Sequence, residues 1–119
     1  MGSDYGIMKI LIVEDDPLIA TVMERMLRRD HEVTVISDLH QVDAERQYDV
    51  VFCDVGHHEP VTIQEQLLRT AERLVLMSGA TPADPILRRW IAAGDVLWMP
   101  KPFPAQRVRE LASLELEAA

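Results

Sequence analysis

The sequence predicts an α/β domain in which five parallel strands, each followed by a helix, form a doubly wound sheet with helices on both faces. Apolar runs of four to six residues recur along the chain, and a helical pattern follows each run. Apolar strands alternating with amphipathic helices are typical of a parallel sheet covered on both faces. The 119 residues, 48% hydrophobic and 27% charged, suffice for one folded core. We therefore expect a (βα)5 domain over residues 8–119, preceded by an N-terminal tail of residues 1–7.

The five predicted strands are apolar at nearly every position, as strands buried on both faces should be. They cover residues 8–13, 32–36, 50–53, 74–77 and 96–99. The first and third strands end directly on acidic residues, which is an unusual way for a buried strand to leave the core.

The helices are predicted from caps and from apolar spacing. Asp16 followed by Pro17 indicates an N-cap and a first helical position. The buried face of this first helix is expected to comprise Ile19, Val22, Met23, Met26 and Leu27. A weaker second helix is expected over residues 38–47, and a fifth over about residues 104–116. The third is supported by Ile63, Leu67, Leu68 and Ala71, and the fourth, which ends at Gly94, by Ile86, Leu87, Trp90 and Ile91.

Composition narrows the classes of function. A net charge of -8 argues against nucleic acid as a direct partner. No apolar run approaches the roughly 20 residues of a membrane span, and the N-terminus is too short and polar for a secretory signal. The single cysteine, Cys53, fits a reducing compartment and reads as a small core residue. We expect a cytoplasmic protein without a membrane partner.

Polar residues follow the predicted strands at the edge where such sheets carry their sites. In parallel sheets the site lies beyond the carboxyl ends of the strands, near the switch point in strand order. The residues at these ends are Glu14, Asp15 and Asp16, then Asp54, Ser78 and Lys101. Three consecutive acids are unfavourable at a strand end unless a cation relieves their repulsion.

These residue types point to a magnesium site that handles phosphoryl groups. Carboxylates of Glu14, Asp15 and Asp54 are hard oxygen ligands, and a few ligands with open positions favour Mg²⁺. Lys101 supplies a positive charge and Ser78 a hydroxyl for phosphoryl oxygens, with Asp54 as the nucleophile. Each residue also has a plainer interpretation: Asp54 as a cap or turn former, Ser78 in a turn before glycine, and Lys101 as a solvated loop lysine.

Four segments resemble the receiver domain of response regulators in bacterial two-component, phosphorelay signalling. They are "KILIVEDDPLI", the lone Asp54 after "VVFC", "LVLMSGA" and "DVLWMPKPF". The resemblance covers about residues 8–116 and implies the flavodoxin-like receiver fold. It further implies that Glu14 and Asp15 are the acidic pair at the Mg²⁺ site and that Asp54 is the phosphoacceptor. The backbone carbonyl of Gly56 would be a further metal ligand.

The resemblance also assigns roles near the end of the chain. Ser78 matches the switch hydroxyl and Lys101 the lysine that stabilises the phosphoryl group, with a cis bond expected before Pro102. Trp98 occupies the position of the switch aromatic residue. Asp16 matches no family ligand and is interpreted as the helix N-cap.

The function implied by the resemblance is a phosphorylation switch and not an enzyme. A histidine kinase or histidine phosphotransfer protein would donate the phosphoryl group to Asp54. The output would be contact with an unknown downstream protein. The family's usual output surface, here helix 4, strand 5 and helix 5 over residues 84–116, would also serve a homodimer.

The segment "VGHHEPVTIQ" departs from the family pattern, since His58 and Thr62 stand where receivers usually carry proline and glycine. This leaves a first alternative, a degenerate receiver that acts as a phosphorylation-independent protein-interaction module. A second alternative is a small hydrolase with His57 as its acid or base. His57 and His58, near the carboxylates, could also suggest a transition-metal site. Exposed loop histidines are the favoured interpretation, because neighbouring side chains in a loop tend to point apart and no Cys or His partner stands at ligand spacing.

Overall fold

In the computed structural model the five strands form one parallel sheet. The structure describes residues 7–56, 60–79, 84–94 and 96–113. The strands are β1 (Lys9–Val13), β2 (Glu32–Ile36), β3 (Tyr48–Asp54), β4 (Ala71–Ser78) and β5 (Leu97–Pro100). Their order is β2-β1-β3-β4-β5, with every neighbouring pair parallel. The predicted doubly wound fold class is thereby confirmed, and the order changes direction between β1 and β3.

Within the described residues, four α-helices follow the first, third, fourth and fifth strands. They are α1 (Pro17–Arg28), α2 (Pro60–Leu67), α3 (Pro85–Ala93) and α4 (Ala105–Ser113). The start of α1 is set by Asp16, whose side chain accepts from two backbone N–H groups of the first turn. The end of α3 is set by Gly94, which adopts the left-handed conformation at φ 81°. Both sequence predictions are confirmed.

The predicted second helix over residues 38–47 is wrong. Between β2 and β3 the chain forms only a three-residue 3₁₀ turn, Leu39–Gln41. Local side chains satisfy the backbone there: Asp38 accepts from the His40 N–H, and Gln41 Oε1 accepts from the N–H groups of Ser37 and Asp38. Such bonds compete with helix formation.

Several boundaries and exposures also differ from the sequence prediction. α2 ends at Leu67, so that Leu68 is 38% exposed and Ala71 begins β4. Val22, expected on the buried face of α1, is 45% exposed. β3 and β4 extend beyond their predicted ends, because the two strands already pair at Tyr48 and Ala71 and stay paired as far as Asp54 and Met77. Residues 114–116 of the predicted fifth helix lie outside the described residues.

The core consists of two layers, one on each face of the sheet. Alternate residues of β1 divide between them: Ile10 and Ile12 face one layer, Leu11 and Val13 the other. α1 and α4 cover the first face, and α2 and α3 the second. The sheet is therefore buried on both faces, which explains why its strands read as continuous apolar runs.

His31, in the turn between α1 and β2, holds the start of β1. Its Nδ1 accepts a hydrogen bond from the Met8 N–H at 3.1 Å. Burial lowers the pKa of His31 below its ordinary 6.5, and the nearby charge of Asp30 opposes this shift. The folded protein therefore favours the neutral imidazole, which alone can accept from Met8.

We expect the free energy of unfolding to fall as the pH decreases below 6.5, the ordinary pKa of the His31 side chain. Because the pKa of His31 is lower in the folded protein, its contribution to the free energy of unfolding is fully present above pH 6.5. This contribution is lost as the pH falls from 6.5 through the folded-state pKa of His31. Urea unfolding at a series of pH values measures the slope. His31→Gln should flatten it, because glutamine can still accept from the Met8 N–H but does not titrate. An unchanged slope in His31→Gln would refute this role.

Candidate functional site

Three carboxylates meet at the carboxyl edge of the two central strands. Glu14 and Asp15 directly follow β1, and Asp54 is the last residue of β3, the strand that pairs with β1. One oxygen from each of the three lies within 4.8 Å of the others. The position is the switch point in strand order, where doubly wound sheets bind ligands. The sequence prediction that these three acids lie together is borne out by this geometry.

Glu14 is the buried member of the group, only 3% exposed. Its Oε1 accepts from the Lys101 Nζ at 2.5 Å, and its Oε2 accepts from the Asp16 N–H at 3.1 Å. Burial raises the pKa of Glu14, while the bonds from Lys101 and Asp16 oppose that rise and the charge of Asp54 adds to it. Both oxygens of this carboxylate are thus engaged by the protein.

Lys101 joins the acids from the end of β5. Its Nζ also donates to Asp54 Oδ1 at 3.0 Å, and its side chain is 16% exposed. Burial alone would lower the pKa of Lys101, but the hydrogen bonds to Glu14 and Asp54 outweigh it and the pKa is raised. The side chain therefore stays cationic. Its backbone is fixed by an N–H bond to the Ser78 carbonyl at 2.7 Å, and the bond to Pro102 is cis, as expected.

Gly56 brings the chain close to Asp54. Its φ is +47°, a conformation that favours glycine, and a Cβ at this position would lie 3.1 Å from Asp54 Oδ2. The Val55 N–H donates to the Met77 carbonyl at 2.9 Å, which holds the start of this turn against β4. Glycine thus allows the backbone to approach the carboxylate. That its carbonyl is a metal ligand stays a prediction.

The donor set fits a magnesium ion. All three side chains offer hard oxygen atoms, and Asp15 is exposed, so that one side of the group is open to solvent. Asp16 stands apart, since its Oδ1 accepts from the Leu18 and Ile19 N–H groups at 2.9 and 3.4 Å. This agrees with its interpretation as the N-cap.

The remaining predicted site residues lie on β4 and β5. Ser78 ends β4, is half-buried, and pairs with Pro100 at the same edge of the sheet as the acids. Trp98 is half-buried on β5 and packs against the core layer beneath α2 and α3. Their switch roles stay predictions. His57 and His58 lie outside the described residues.

Cys53 has no sign of reactivity. It is fully buried in β3, and burial, with the charges of Asp54 and Glu14, raises the pKa of its thiol to about 12. A thiol that stays protonated is a poor nucleophile. Its interpretation as a core residue is confirmed.

Comparison with known proteins shows the fold. No protein-family model matches the sequence, and no curated protein matches it. A response regulator from Thermotoga maritima matches with a TM-score of 0.64 and 19% identity over 89% of this chain and 98% of that chain. A signal receiver domain of an HD domain-containing protein from Pseudomonas fluorescens Pf-5 matches with a TM-score of 0.68 and 19% identity, covering 87% and 89% of the two chains. The chain has the receiver-domain fold.

A third match supports this receiver fold over slightly more of the chain. A response regulator receiver protein from Sinorhizobium medicae WSM419 shares a TM-score of 0.66 and 20% identity over 92% of this chain and 94% of that one. The fold implied by the sequence resemblance is therefore confirmed. None of the described helices of this receiver fold has the length and apolar character needed to cross a membrane.

Sequence reasoning missed one feature near the three carboxylates, an apolar groove between α1 and the segment after β5. It has a volume of about 260 Å³ and is lined in part by Leu18, Val22 and Phe103, with Lys101 at its margin. Leu18 is 72% exposed and Val22 45%. The helical spacing had assigned Val22 to the core. Leu18, an apolar residue outside the predicted buried face of the first helix, was the available signal of an outward apolar stripe.

Proposed function

We propose that this chain is a phosphoacceptor switch of a two-component system, in which Asp54 takes a phosphoryl group from phosphohistidine. The observation that carries the proposal is the environment of Asp54. Its carboxylate lies 3.0 Å from the Lys101 ammonium and within 4.8 Å of oxygens of Glu14 and Asp15, at the end of a central strand. A nucleophilic carboxylate, a fixed cation and a divalent-cation site are the groups that phosphoryl transfer to aspartate requires.

The proposed step makes one bond and breaks one. A carboxylate oxygen of Asp54 attacks phosphorus, the P–N bond to the donor imidazole breaks, and its electron pair stays on the ring nitrogen, which takes up a proton from solvent. Magnesium bound at this edge would neutralise charge on the phosphoryl oxygens. Lys101, which already contacts Asp54, would hold one of those oxygens after transfer.

Phosphorylation would then change the preferences of the switch residues. The Ser78 hydroxyl would turn towards the phosphoryl group, and Trp98 would move further inward from its half-buried position. The outcome is a population shift, because phosphate stabilises only the state that it contacts more favourably. The output surface would comprise α3, β5 and α4, through which an unknown downstream protein or a second copy would bind.

The proposal is tested by intact-protein mass after incubation with acetyl phosphate and Mg²⁺. We expect one phosphoryl adduct that is absent without the metal and absent in Asp54→Asn. Metal binding without any adduct from either acetyl phosphate or phosphohistidine donors would favour the phosphorylation-independent interaction module. Continuous release of phosphate from an ester would instead favour the hydrolase.

The apolar groove supplies a prediction about the donor. We propose that the protein bearing phosphohistidine docks on Leu18 and Val22, because Lys101 is among the lining residues of the groove and a donor bound there would lie near Asp54. Leu18→Asp should slow transfer from a histidine phosphotransfer protein that phosphorylates the wild type, by about tenfold or more. It should leave the reaction with acetyl phosphate unchanged.

Leu68→Asp is the matched control, since Leu68 is also exposed but lies beyond the carboxyl end of α2. It should have no effect on either reaction. Equal slowing by both variants, or loss of the acetyl phosphate reaction in Leu18→Asp, would contradict docking at the groove. Stopped transfer followed by phosphate-affinity electrophoresis gives the rates.

A further inference from the structure

The three carboxylates of Glu14, Asp15 and Asp54, which we call the acid edge, already have a cation from the chain itself beside them. The ammonium of Lys101 is bonded to Glu14 Oε1 at 2.5 Å and to Asp54 Oδ1 at 3.0 Å, two of the three carboxylates that could hold a metal ion. The shorter bond goes to Glu14, the most deeply buried acid of the group. The closest contact of Lys101 is therefore with Glu14, a predicted metal ligand, and not with the predicted phosphoacceptor Asp54.

Each oxygen of Glu14 already accepts one hydrogen bond in this arrangement. Oε1 is engaged by Lys101, and Oε2 accepts from the Asp16 N–H at 3.1 Å. The Asp16 bond comes from the backbone at the start of α1 and is fixed by the fold, whereas Lys101 is on a flexible side chain. Freeing a Glu14 oxygen for a metal is therefore most readily achieved by moving the lysine.

We propose that Lys101 is the internal counter-ion of the metal-free acid edge and that a divalent cation binds in competition with it at Glu14. This inference rests on the proposed function, since it takes the Mg²⁺ site of the switch as given. Two cations at contact distance of one carboxylate repel each other, so that metal entry requires the ammonium to withdraw from Glu14. The lysine then keeps only its Asp54 contact, from which it can meet an incoming phosphoryl group.

The proposal predicts opposite effects of Lys101 on the two forms of the protein. In the metal-free form the lysine stabilises the fold, because it pairs with a buried carboxylate that would otherwise keep only its bond from the Asp16 N–H. In the metal-bound form it repels the ion. Removing its charge should therefore strengthen metal binding. If Lys101 acted only on the phosphoryl group, its removal would instead leave the metal affinity unchanged.

The chain offers a close control because it contains only two lysines, Lys9 and Lys101. Lys9 is exposed at the first position of β1, at the opposite end of the strand from the acids. Lys9→Met and Lys101→Met change the net charge equally, and Lys101→Arg keeps the charge at the site. Mn²⁺ is the probe, titrated against each purified protein with free ion measured by electron paramagnetic resonance, followed by displacement with Mg²⁺.

We expect Lys101→Met to bind Mn²⁺ about tenfold more tightly than the wild type, and Lys9→Met and Lys101→Arg to stay within about threefold of it. Equal or weaker binding by Lys101→Met, with the wild type binding normally, would overturn the competition and leave the proposed switch intact. Absence of Mn²⁺ binding in all four proteins would overturn both the competition and the metal site of the proposed function.

Thermal unfolding provides the second readout, in case Lys101→Met folds poorly without metal. The variant should melt below the wild type in a chelator, and saturating Mn²⁺ should raise its Tm by more than it raises that of the wild type. An equal rise in the Tm of both proteins would contradict the proposal, because a metal that no longer competes with the ammonium should bind the variant more tightly and stabilise it more.

Discussion

Replacing Asp15 by alanine is expected to weaken Mg²⁺ binding by at least about tenfold and to remove the phosphoryl adduct, with little change in stability. Asp15 is exposed and contributes one oxygen to the three-carboxylate group. Its removal would take away one of the proposed metal ligands without opening a cavity. The neighbouring Asp16 should behave in the opposite way.

Asp16→Ala should lower the free energy of unfolding by about 1 kcal/mol and leave metal binding nearly unchanged. Its side chain caps α1, and the N–H that it donates to Glu14 belongs to the backbone and survives the substitution. Urea unfolding and Mn²⁺ titration on the two variants separate these signatures. If Asp16→Ala lost the metal and Asp15→Ala did not, the assignment of the two acids would be reversed.

Replacing Phe52 by alanine is expected to cost about 3–5 kcal/mol of unfolding free energy, a large part of the stability of a domain this size. Phe52 is the largest fully buried side chain in the described residues and lies on the central strand β3. It packs into the layer beneath α1 and α4. Truncation leaves a cavity that the rigid sheet closes only in part.

Phe103→Ala is the matched control because the chain contains only two phenylalanines. Phe103 is half-buried and packs against the same layer from its margin. Its truncation should cost about 1 kcal/mol. Urea unfolding of both variants measures the difference, and equal costs would contradict the placement of the core.

Most of the fold could be predicted from the sequence, and particular residues show why. Strands buried on both faces must be apolar throughout, so β1 and β3 were recognisable from composition alone. Asp16 and Gly94 fixed helix ends because capping is local chemistry. The predicted second helix does not form, because the Gln41 side chain accepts from the Ser37 and Asp38 N–H groups. Apolar spacing does not reveal such side-chain bonds, which compete with the hydrogen bonds of a helix.

The sequence could predict which residues lie at the same edge of the sheet, but not which of their side chains are in contact. Strand ends placed Glu14, Asp15 and Asp54 together because parallel strands end at one edge. The contact from Lys101 to Glu14 spans 87 residues and depends on side-chain reach, so the sequence could assign the lysine only to phosphoryl oxygens. The groove at Leu18 was missed because the exposed face of a helix is set by tertiary packing.

Asp54 is the residue that we propose to carry the phosphoryl group, as an acyl phosphate. Borohydride reduction of the phosphorylated protein converts an aspartyl phosphate to homoserine, and tandem mass spectrometry of peptides locates that residue. We predict homoserine at position 54 alone, formed only when Mg²⁺ and a phosphodonor were both present. Homoserine at Asp15 or Asp16, or a phosphoryl group that survives reduction on a histidine or serine, would contradict the account.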